Sequence, residues 1–333
     1  MFADHALKSW LTDYKTNGIS LCVPELVRYR HHTKALDLSP KKTPQARLAG
    51  TYVTKLKGRG MEFDESRHYQ AGDDIRAIDW RVTARTGKTH TKVYREERER
   101  PIYVFTDMSS SMQFGSAFVF KSIQAAHLST LIAWSAVARG DKLGAISFNA
   151  HQHVENKPKS RQSAVLQHIH QLIGLQSEAI NKQHSDFNFD PDRQADQFSA
   201  NCTRLMRLAK PGSLVWVISD FQNINKQSLR MLADLNRHSE VRAAVIYDPL
   251  EVKLPETHSK QSLTITDGKE KRGLTLGDNT VTQHYSAWAQ SRNASLSQAL
   301  EKAKISGLHV SAGSPLLQQP LHVIRNNYVM EHI

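Results

Sequence analysis

The chain has 333 residues, of which 39% are hydrophobic and 23% charged, a composition typical of a folded globular protein and unlike a disordered or fibrous one. Its only two cysteines, Cys22 and Cys202, lie far apart, which excludes a disulfide framework and a thiolate metal cluster. The N-terminus lacks a basic start followed by an apolar run, and polar side chains interrupt the most apolar stretch, residues 117–138. We therefore expect a cytoplasmic protein without a membrane span.

The formal net charge is +12, and much of the excess lies between Lys41 and Arg100, where fifteen Lys or Arg face nine Asp or Glu. Such a block fits a solvated surface, an acidic protein partner, or a nucleic acid or anionic lipid. Charges of both signs alternate in residues 95–100, and repeated aromatic platforms for single strands are missing. Nucleic acid is therefore the least favoured partner.

In chain order, the pattern predicts a helix at residues 26–36, an extended segment at 52–57, and then alternating strands and helices. Alternation of this kind is typical of an α/β fold, with a mostly parallel sheet covered by helices on both faces. The predicted strands are Ile102–Thr106, Lys142–Phe148 with a hairpin partner at His151–Glu155, Leu214–Ile218, Val241–Tyr247 and Leu308–Ser311. The predicted helices are Ala117–Ala138, Ser163–Leu175, Ala195–Ala209, Lys226–Arg237 and Tyr285–Ala303.

Two domains are predicted from this pattern. Residues 1–100 form a small N-terminal helical and β-rich extension, and residues 101–325 form the α/β domain. A β-hairpin insertion is expected near residues 250–284, around the Asp267-Gly268 turn. Residues 177–196 have a polar composition that predicts a long loop.

The first strand ends in Asp107, and Ser109 and Ser111 follow it at alternate positions. This places three oxygen-bearing side chains at the carboxyl edge of the sheet, where open α/β folds bind their ligands. One carboxylate and two hydroxyls are hard ligands suited to Mg²⁺ or Mn²⁺. Asp220 follows a second apolar strand, so it can join the same site if the two strands are neighbours. The alternative is that the hydroxyls cap the next helix, expected to begin near Phe114, and that Asp220 caps another.

The segments Asp107–Met112 and Ile218–Phe221 together resemble the metal-ion-dependent adhesion site of von Willebrand factor A domains. Upstream, Gly60–Phe63 and Arg67–Trp80, with its GDDIRAIDW sequence, are similar to the hallmark of the bacterial "domain of unknown function 58" family. Similar segments occur downstream at residues 207–213 and 248–251. The resemblance covers residues 48–326, with four motifs in the same order.

The resemblance implies a von Willebrand A-like core that binds a protein partner through its metal ion. The implied partner is a MoxR-type AAA+ ATPase, and the implied role is chaperone-like maturation or a stress response. One feature departs from the pattern, because residues 177–196 lack the usual threonine ligand, for which Ser185 or Asp186 would have to substitute. The site therefore either binds metal through an altered ligand set or belongs to a metal-free scaffold.

The GDDIRAIDW motif permits two interpretations. In the first, Gly72-Asp73-Asp74 forms a turn, Asp79 caps a helix and Trp80 is a buried anchor. In the second, the motif recognises a partner, with arginines offering bidentate donors to a carboxylate or phosphate. The candidate partner-binding residues are Arg67, Asp73, Asp74, Arg76 and Asp79, with Arg81 and Arg85 as further donors.

Enzymatic motifs are missing from the sequence. A phosphatase of the haloacid dehalogenase type needs a second Asp where Ser109 stands, and the sequence contains no phosphate-binding loop, nucleophile elbow or zinc-protease helix. We therefore expect a non-enzymatic interaction module. A basic protein that binds nucleic acid or an anionic surface, and a metal-dependent hydrolase, remain as alternatives.

Overall fold

The structure, a computed structural model, describes residues 2–39, 61–96, 100–183, 191–255, 261–266 and 271–321. The chain forms two compact units. The sheet unit comprises Met1–Thr43 and Arg100–Ile333, and the inserted unit comprises Pro44–Glu99.

The described helices and strands alternate along most of the chain. The helices are α1 (Phe2–Asp13), α2 (Val23–Val27), α3 (Trp80–Thr86), α4 (Lys121–Ala138), α5 (Gln162–Gln183), α6 (Pro191–Leu208), α7 (Lys226–His238), α8 (Pro249–Val252) and α9 (Asn279–Lys302). The strands are β1 (Met61–His68), β2 (His90–Glu96), β3 (Pro101–Asp107), β4 (Lys142–Phe148), β5 (His153–Lys159), β6 (Leu214–Ser219), β7 (Glu240–Tyr247), β8 (Gln261–Thr266), β9 (Lys271–Leu276) and β10 (Ser306–Ser311). Short 3₁₀ helices occupy Arg28–Ala35, Ile75–Ala77, Ser110–Met112 and Leu316–Gln318.

A six-stranded sheet forms the centre of the sheet unit, in the order β10-β7-β6-β3-β4-β5. All neighbours are parallel except β5, which pairs with β4 in the antiparallel direction. Every residue of β6 is buried, as expected for a central parallel strand covered on both faces. These observations confirm the predicted α/β class and the mostly parallel sheet. Because β3 and β6 are neighbours, their carboxyl ends lie side by side.

Successive residues of β3 point to opposite faces and enter two separate cores. Ile102 and Val104 pack with α4, α5 and the N-terminal segment, residues 2–39. Tyr103 and Phe105 pack with α6, α7 and α9. Helices therefore cover both faces of the sheet, as the alternating sequence predicted.

The N-terminal segment packs on the sheet unit, and this differs from the predicted domain division at residue 100. Leu26 and Tyr29 are fully buried in the core that contains α4 and α5. Glu25 lies 2.6 Å from Nε2 of His127 in α4, and both side chains are buried. The apolar side chains of this segment are buried against α4. The segment therefore belongs to the sheet unit, although the inserted unit separates it from α4 in sequence.

One buried cluster contacts both Ser39 and Arg100, two residues of the sheet unit that flank the inserted unit in sequence. The Arg242 guanidinium donates to the carbonyl oxygens of Asp37 and Ser39, at 2.8 and 2.7 Å. Glu240 lies 2.6 Å from Arg242 and 3.0 Å from Arg100. Ser39 and Arg100 are therefore both held at the start of β7.

The inserted unit contains an antiparallel pair, β1 with β2, and the short helix α3. Asp79 caps α3 by accepting a hydrogen bond from the Val82 amide at 3.2 Å. The helix ends at Gly87, whose φ of 70° is the left-handed conformation that favours glycine. The predicted hairpin at residues 261–276 is also present, as the antiparallel pair β8 and β9.

Two helix boundaries differ from the predictions. Helix α4 begins at Lys121 and not near Phe114 or Ala117, because the preceding chain bonds elsewhere: the amides of Val119 and Phe120 donate to Ala312 and Gly18. The predicted loop at residues 177–196 is mostly helical, since α5 continues to residue 183 and α6 begins at residue 191. The predicted extended segment 52–57, and Ser185 and Asp186, lie outside the described residues.

Candidate metal centre

The carboxylate of Asp107 is fixed between two neighbouring strand ends. Its Oδ1 accepts a hydrogen bond from the Ser109 amide at 2.9 Å, and its Oδ2 accepts one from the Ser219 hydroxyl at 2.6 Å. Because Ser219 ends β6, this second bond joins the carboxyl ends of β3 and β6. The side chain of Asp107 is fully buried.

Three further oxygen atoms follow one another beside this carboxylate. The hydroxyls of Ser109 and Ser111 are 3.3 Å apart, and the Ser111 hydroxyl lies 3.3 Å from Oδ1 of Asp220. Ser109 and Asp220 are buried, while Ser111 is partly exposed. The fold therefore brings together all four predicted metal ligands, and it leaves an opening to solvent at Ser111.

The chemistry and spacing of these oxygens fit a small divalent cation. Carboxylate and hydroxyl oxygens are the hard ligands that Mg²⁺ prefers. Ligands of an octahedral Mg²⁺ lie about 2.1 Å from the ion, so adjacent ligands lie about 3 Å from each other. The 3.3 Å steps from Ser109 to Ser111 and from Ser111 to Asp220 are close to this spacing. No group of three or more His, Cys, Asp or Glu side chains with metal-binding geometry occurs among the described residues, so a cation here would depend on the serines.

The loop after β6 shapes the other side of the site. Phe221 has a φ of 55°, an unusual conformation for a bulky residue, and it turns the chain back toward Asp220. The Gln222 amide then donates to Oδ1 of Asp220 at 3.0 Å. The Asn223 side-chain amide donates to the hydroxyls of Ser109 and Ser111, at 3.1 and 3.4 Å. Asn223 thus holds both hydroxyls in place.

A lysine lies directly behind the site. The ammonium of Lys121, the first residue of α4, is 2.8 Å from Oδ2 of Asp220 and 2.6 Å from Oε1 of Glu251. Its side chain is fully buried. Burial alone would lower the pKa of Lys121, but the charges of Asp220 and Glu251 outweigh this effect and raise it above its ordinary value. The lysine is therefore a permanent cation of this site.

Burial has the opposite effect on the first aspartate. It raises the pKa of Asp107 from 3.8 to about 6, and the nearby charge of Asp220 adds to the increase. The hydrogen bonds from Ser219 and Ser109 favour the ionised form and limit the shift. A second positive charge at the site would bring this pKa down again, so the carboxylate is suited to a cation.

The sequence identified four members of this cluster and missed three others. Lys121 is one of the polar residues that interrupt the apolar stretch 117–138, although a lysine in the first turn of a helix opposes the helix dipole and signals a nearby anion. Glu251 lies far along the chain and Asn223 is one of many polar loop residues, so neither carried a signal of its own.

The aspartates of the GDDIRAIDW motif form hydrogen bonds with nearby residues of the inserted unit. Asp73 accepts hydrogen bonds from Arg67 at 2.7 Å and from the Gln70 amide at 2.9 Å. Asp74 accepts from the Arg76 amide at 3.0 Å. These contacts confirm the turn and, with Asp79, the helix cap. No hydrogen bond or ion pair of the Arg76 guanidinium is seen within the described part of the chain.

The expected buried anchor at Trp80 is wrong. Its side chain is 68% exposed, and Ile75 is 66% exposed. Trp80 is the first residue of α3, directly after the helix cap at Asp79. Partner recognition by the motif stays a prediction, and the exposed residues add an apolar component to it.

Residues 65–295 match the family described as "Protein of unknown function DUF58", and the chain belongs to that family. Among its relatives are the uncharacterized protein Rv1480 of Mycobacterium tuberculosis and the uncharacterized protein Mb1516 of Mycobacterium bovis. Each is 30% identical over 223 residues, which is 67% of this chain and 66% of the relative. The match therefore spans just under two thirds of the relatives' length.

Two solved structures are similar to this chain at lower identity. One is the conserved hypothetical protein BatB from Bacteroides thetaiotaomicron, with 13% identity and a TM-score of 0.30 over 61% of this chain and 98% of that one. The other is an aerotolerance-related membrane protein from Bacteroides fragilis, with 14% identity and a TM-score of 0.30 over 61% and 99%. In this chain, none of the helices within the described ranges combines the length and apolar character needed to cross a membrane.

Proposed function

We propose that the sheet unit is a von Willebrand A-like interaction module that binds an acidic side chain of a protein partner through a divalent cation. Ser109, Ser111 and Asp220 would hold the ion, with Asp107 in or just outside its inner shell. Mg²⁺ is the proposed cation, with Mn²⁺ as the alternative. The observation that carries the proposal is the line of three oxygens at 3.3 Å spacing beside the fixed carboxylate of Asp107.

The geometry favours binding over catalysis. The described residues near the oxygens offer no histidine or free carboxylate as a general base: Asp220 and Glu251 are both paired with Lys121, and Asp107 accepts two hydrogen bonds. The partial exposure of Ser111 supplies a place where a partner could complete the coordination of an ion. We therefore propose a non-enzymatic role.

The proposed partner is a MoxR-type AAA+ ATPase, and the proposed role is chaperone-like maturation or a stress response. Such a partner consumes ATP, which places the proposed interaction in the cytoplasm. The Arg and Trp residues exposed on the inserted unit would offer a second contact, since these side chains contribute most to protein interfaces.

The experiment measures binding of the full chain to a MoxR-type ATPase by isothermal titration calorimetry, in Mg²⁺ and in EDTA. We expect affinity to fall about ten-fold or more in EDTA, and equally in Asp107→Ala with Mg²⁺ present. Asp234→Ala, which removes an exposed aspartate of α7, is the matched control and should bind like the wild type. Equal affinity under all four conditions would contradict the proposal.

A further inference from the structure

A buried ammonium and the candidate cation position share one carboxylate. Oδ2 of Asp220 contacts Lys121, while Oδ1 faces Ser111 and the Gln222 amide. A cation on the Oδ1 side would therefore compete with the ammonium for the charge of Asp220. Lys121 therefore already supplies part of the positive charge that a metal ion would bring to Asp220.

The charges around the site show how Lys121 changes the attraction of a divalent cation. Asp107 and Asp220 contact the serines, Glu251 shares the Lys121 ammonium with Asp220, and Lys121 is the only ammonium or guanidinium that pairs with any of these three carboxylates among the described residues. Without Lys121, two buried or half-buried carboxylates would lack a counter-charge, and a divalent cation would be strongly attracted. With Lys121 in place, that attraction is smaller.

Glu251 is a second carboxylate that pairs with the Lys121 ammonium, beside Asp220. Its Oε1 accepts hydrogen bonds from Lys121 and from the Gln222 side chain, and its Oε2 accepts one from the Asp248 amide. These contacts fix Glu251 at the start of α8, where it shares the ammonium with Asp220. The lysine therefore divides its charge between two anchored carboxylates.

We propose that Lys121 is a resident cation that lowers the affinity of this site for divalent metal, and that Glu251 partly relieves this effect by drawing the ammonium away from Asp220. The inference rests on the proposed function, because it takes from it both the cation site beside Asp220 and the choice of Mg²⁺ as the ion. A site weakened in this way fills fully when a partner carboxylate adds its own charge, so metal and partner would bind together.

The test is Mg²⁺ binding by the full chain, measured by isothermal titration calorimetry after removal of metal with EDTA. We expect Lys121→Met to bind Mg²⁺ about ten-fold more tightly than the wild type, because Asp220 is released. Glu251→Gln should bind several-fold more weakly, because the ammonium then belongs to Asp220 alone. A purely structural role for Lys121 would not give changes of opposite sign.

Two further variants test whether the change in affinity comes from the charge of Lys121 itself. Lys121→Met combined with Glu251→Gln removes one charge of each sign, so it keeps the net charge of the buried cluster, and it should still bind more tightly than the wild type. Lys226→Met is the matched control, because Lys226 is also the first residue of a helix, α7, but is exposed. It should leave the affinity unchanged.

The outcomes separate this inference from the proposed function. Equal or weaker Mg²⁺ binding by both Lys121 variants, with the wild type binding measurably, would overturn the inference alone. Binding by the Lys121 variants but not by the isolated wild type would support the inference, and the proposed metal bridge would then be decided by the Mg²⁺ and EDTA titrations with the partner present. Failure of every variant to bind millimolar Mg²⁺ would overturn both.

Discussion

Ser129 in α4 and His168 in α5 share a hydrogen bond of 2.8 Å in the interior of the sheet unit. Both side chains are fully buried, and burial lowers the pKa of His168 from 6.5 to about 4. The unfolded chain therefore binds a proton between pH 6.5 and 4 that the folded chain does not. This histidine alone should remove about 3 kcal/mol of stability as the pH falls through that range.

His168→Gln tests this linkage, because glutamine can keep a hydrogen bond to Ser129 and does not titrate. Urea unfolding at pH 7 and pH 4 should show that the variant loses about 3 kcal/mol less stability on acidification than the wild type. An identical loss in both proteins would contradict the prediction.

Leu26→Ala should destabilise the whole sheet unit, because Leu26 is fully buried against α4 and α5 although it precedes the inserted unit. Truncation of such a side chain costs about 2–5 kcal/mol. Ile19→Ala is the control, since Ile19 is 52% exposed and should cost less than about 0.5 kcal/mol. Chemical unfolding monitored by tryptophan fluorescence measures both, and comparable losses would show that the segment is not part of this core.

Two glycines should respond to alanine in opposite directions. A methyl group at Gly144 would lie 2.5 Å from Cε1 of Tyr103, whose hydroxyl is held by the Leu208 carbonyl at 2.6 Å, so the ring has no room to move. We expect Gly144→Ala to cost about 1–3 kcal/mol. Gly174 lies within α5 with open space around it, and Gly174→Ala should stabilise by about 0.5–1 kcal/mol. Thermal unfolding with both changes of the same sign would contradict the prediction.

Asp79→Ala and Trp80→Ala should differ although the residues are adjacent. Asp79 caps α3 and accepts a hydrogen bond from Ser66 in β1 at 2.9 Å, so its loss should cost about 0.5–2 kcal/mol. Trp80 is mostly exposed, and its loss should change stability by less than about 0.5 kcal/mol. Hydrogen exchange of the β1 and β2 amides reports on the inserted unit directly, and equal protection in the two variants would count against this assignment.

The periodicity of the sequence predicted the sheet well because burial leaves a direct trace there. Apolar runs such as Leu214–Ile218 are typical of a strand covered on both faces, and the pattern placed Asp107 and Asp220 at the ends of two such strands. Their adjacency then followed from the strand order, which brought the four predicted oxygens together.

The parts that were missed depend on contacts between distant segments. Nothing local in residues 2–39 indicates that their partner is α4, and nothing near Glu251 indicates that it shares an ammonium with Asp220. The start of α4 was misplaced for the same reason, because the competing backbone bonds come from Gly18 and Ala312.

The cluster of Arg100, Glu240 and Arg242 makes the inserted unit a segment that can be exchanged as a whole. Because Ser39 and Arg100 both contact this cluster, the 56 residues of Pro44–Glu99 lie between two points of the chain that are close together in the sheet unit. A short flexible tether could replace them without opening the sheet, whereas cutting the chain after Glu99 and discarding everything before it would strip the cover from α4. The natural place to divide this protein is thus a pair of positions, one on each side of Pro44–Glu99.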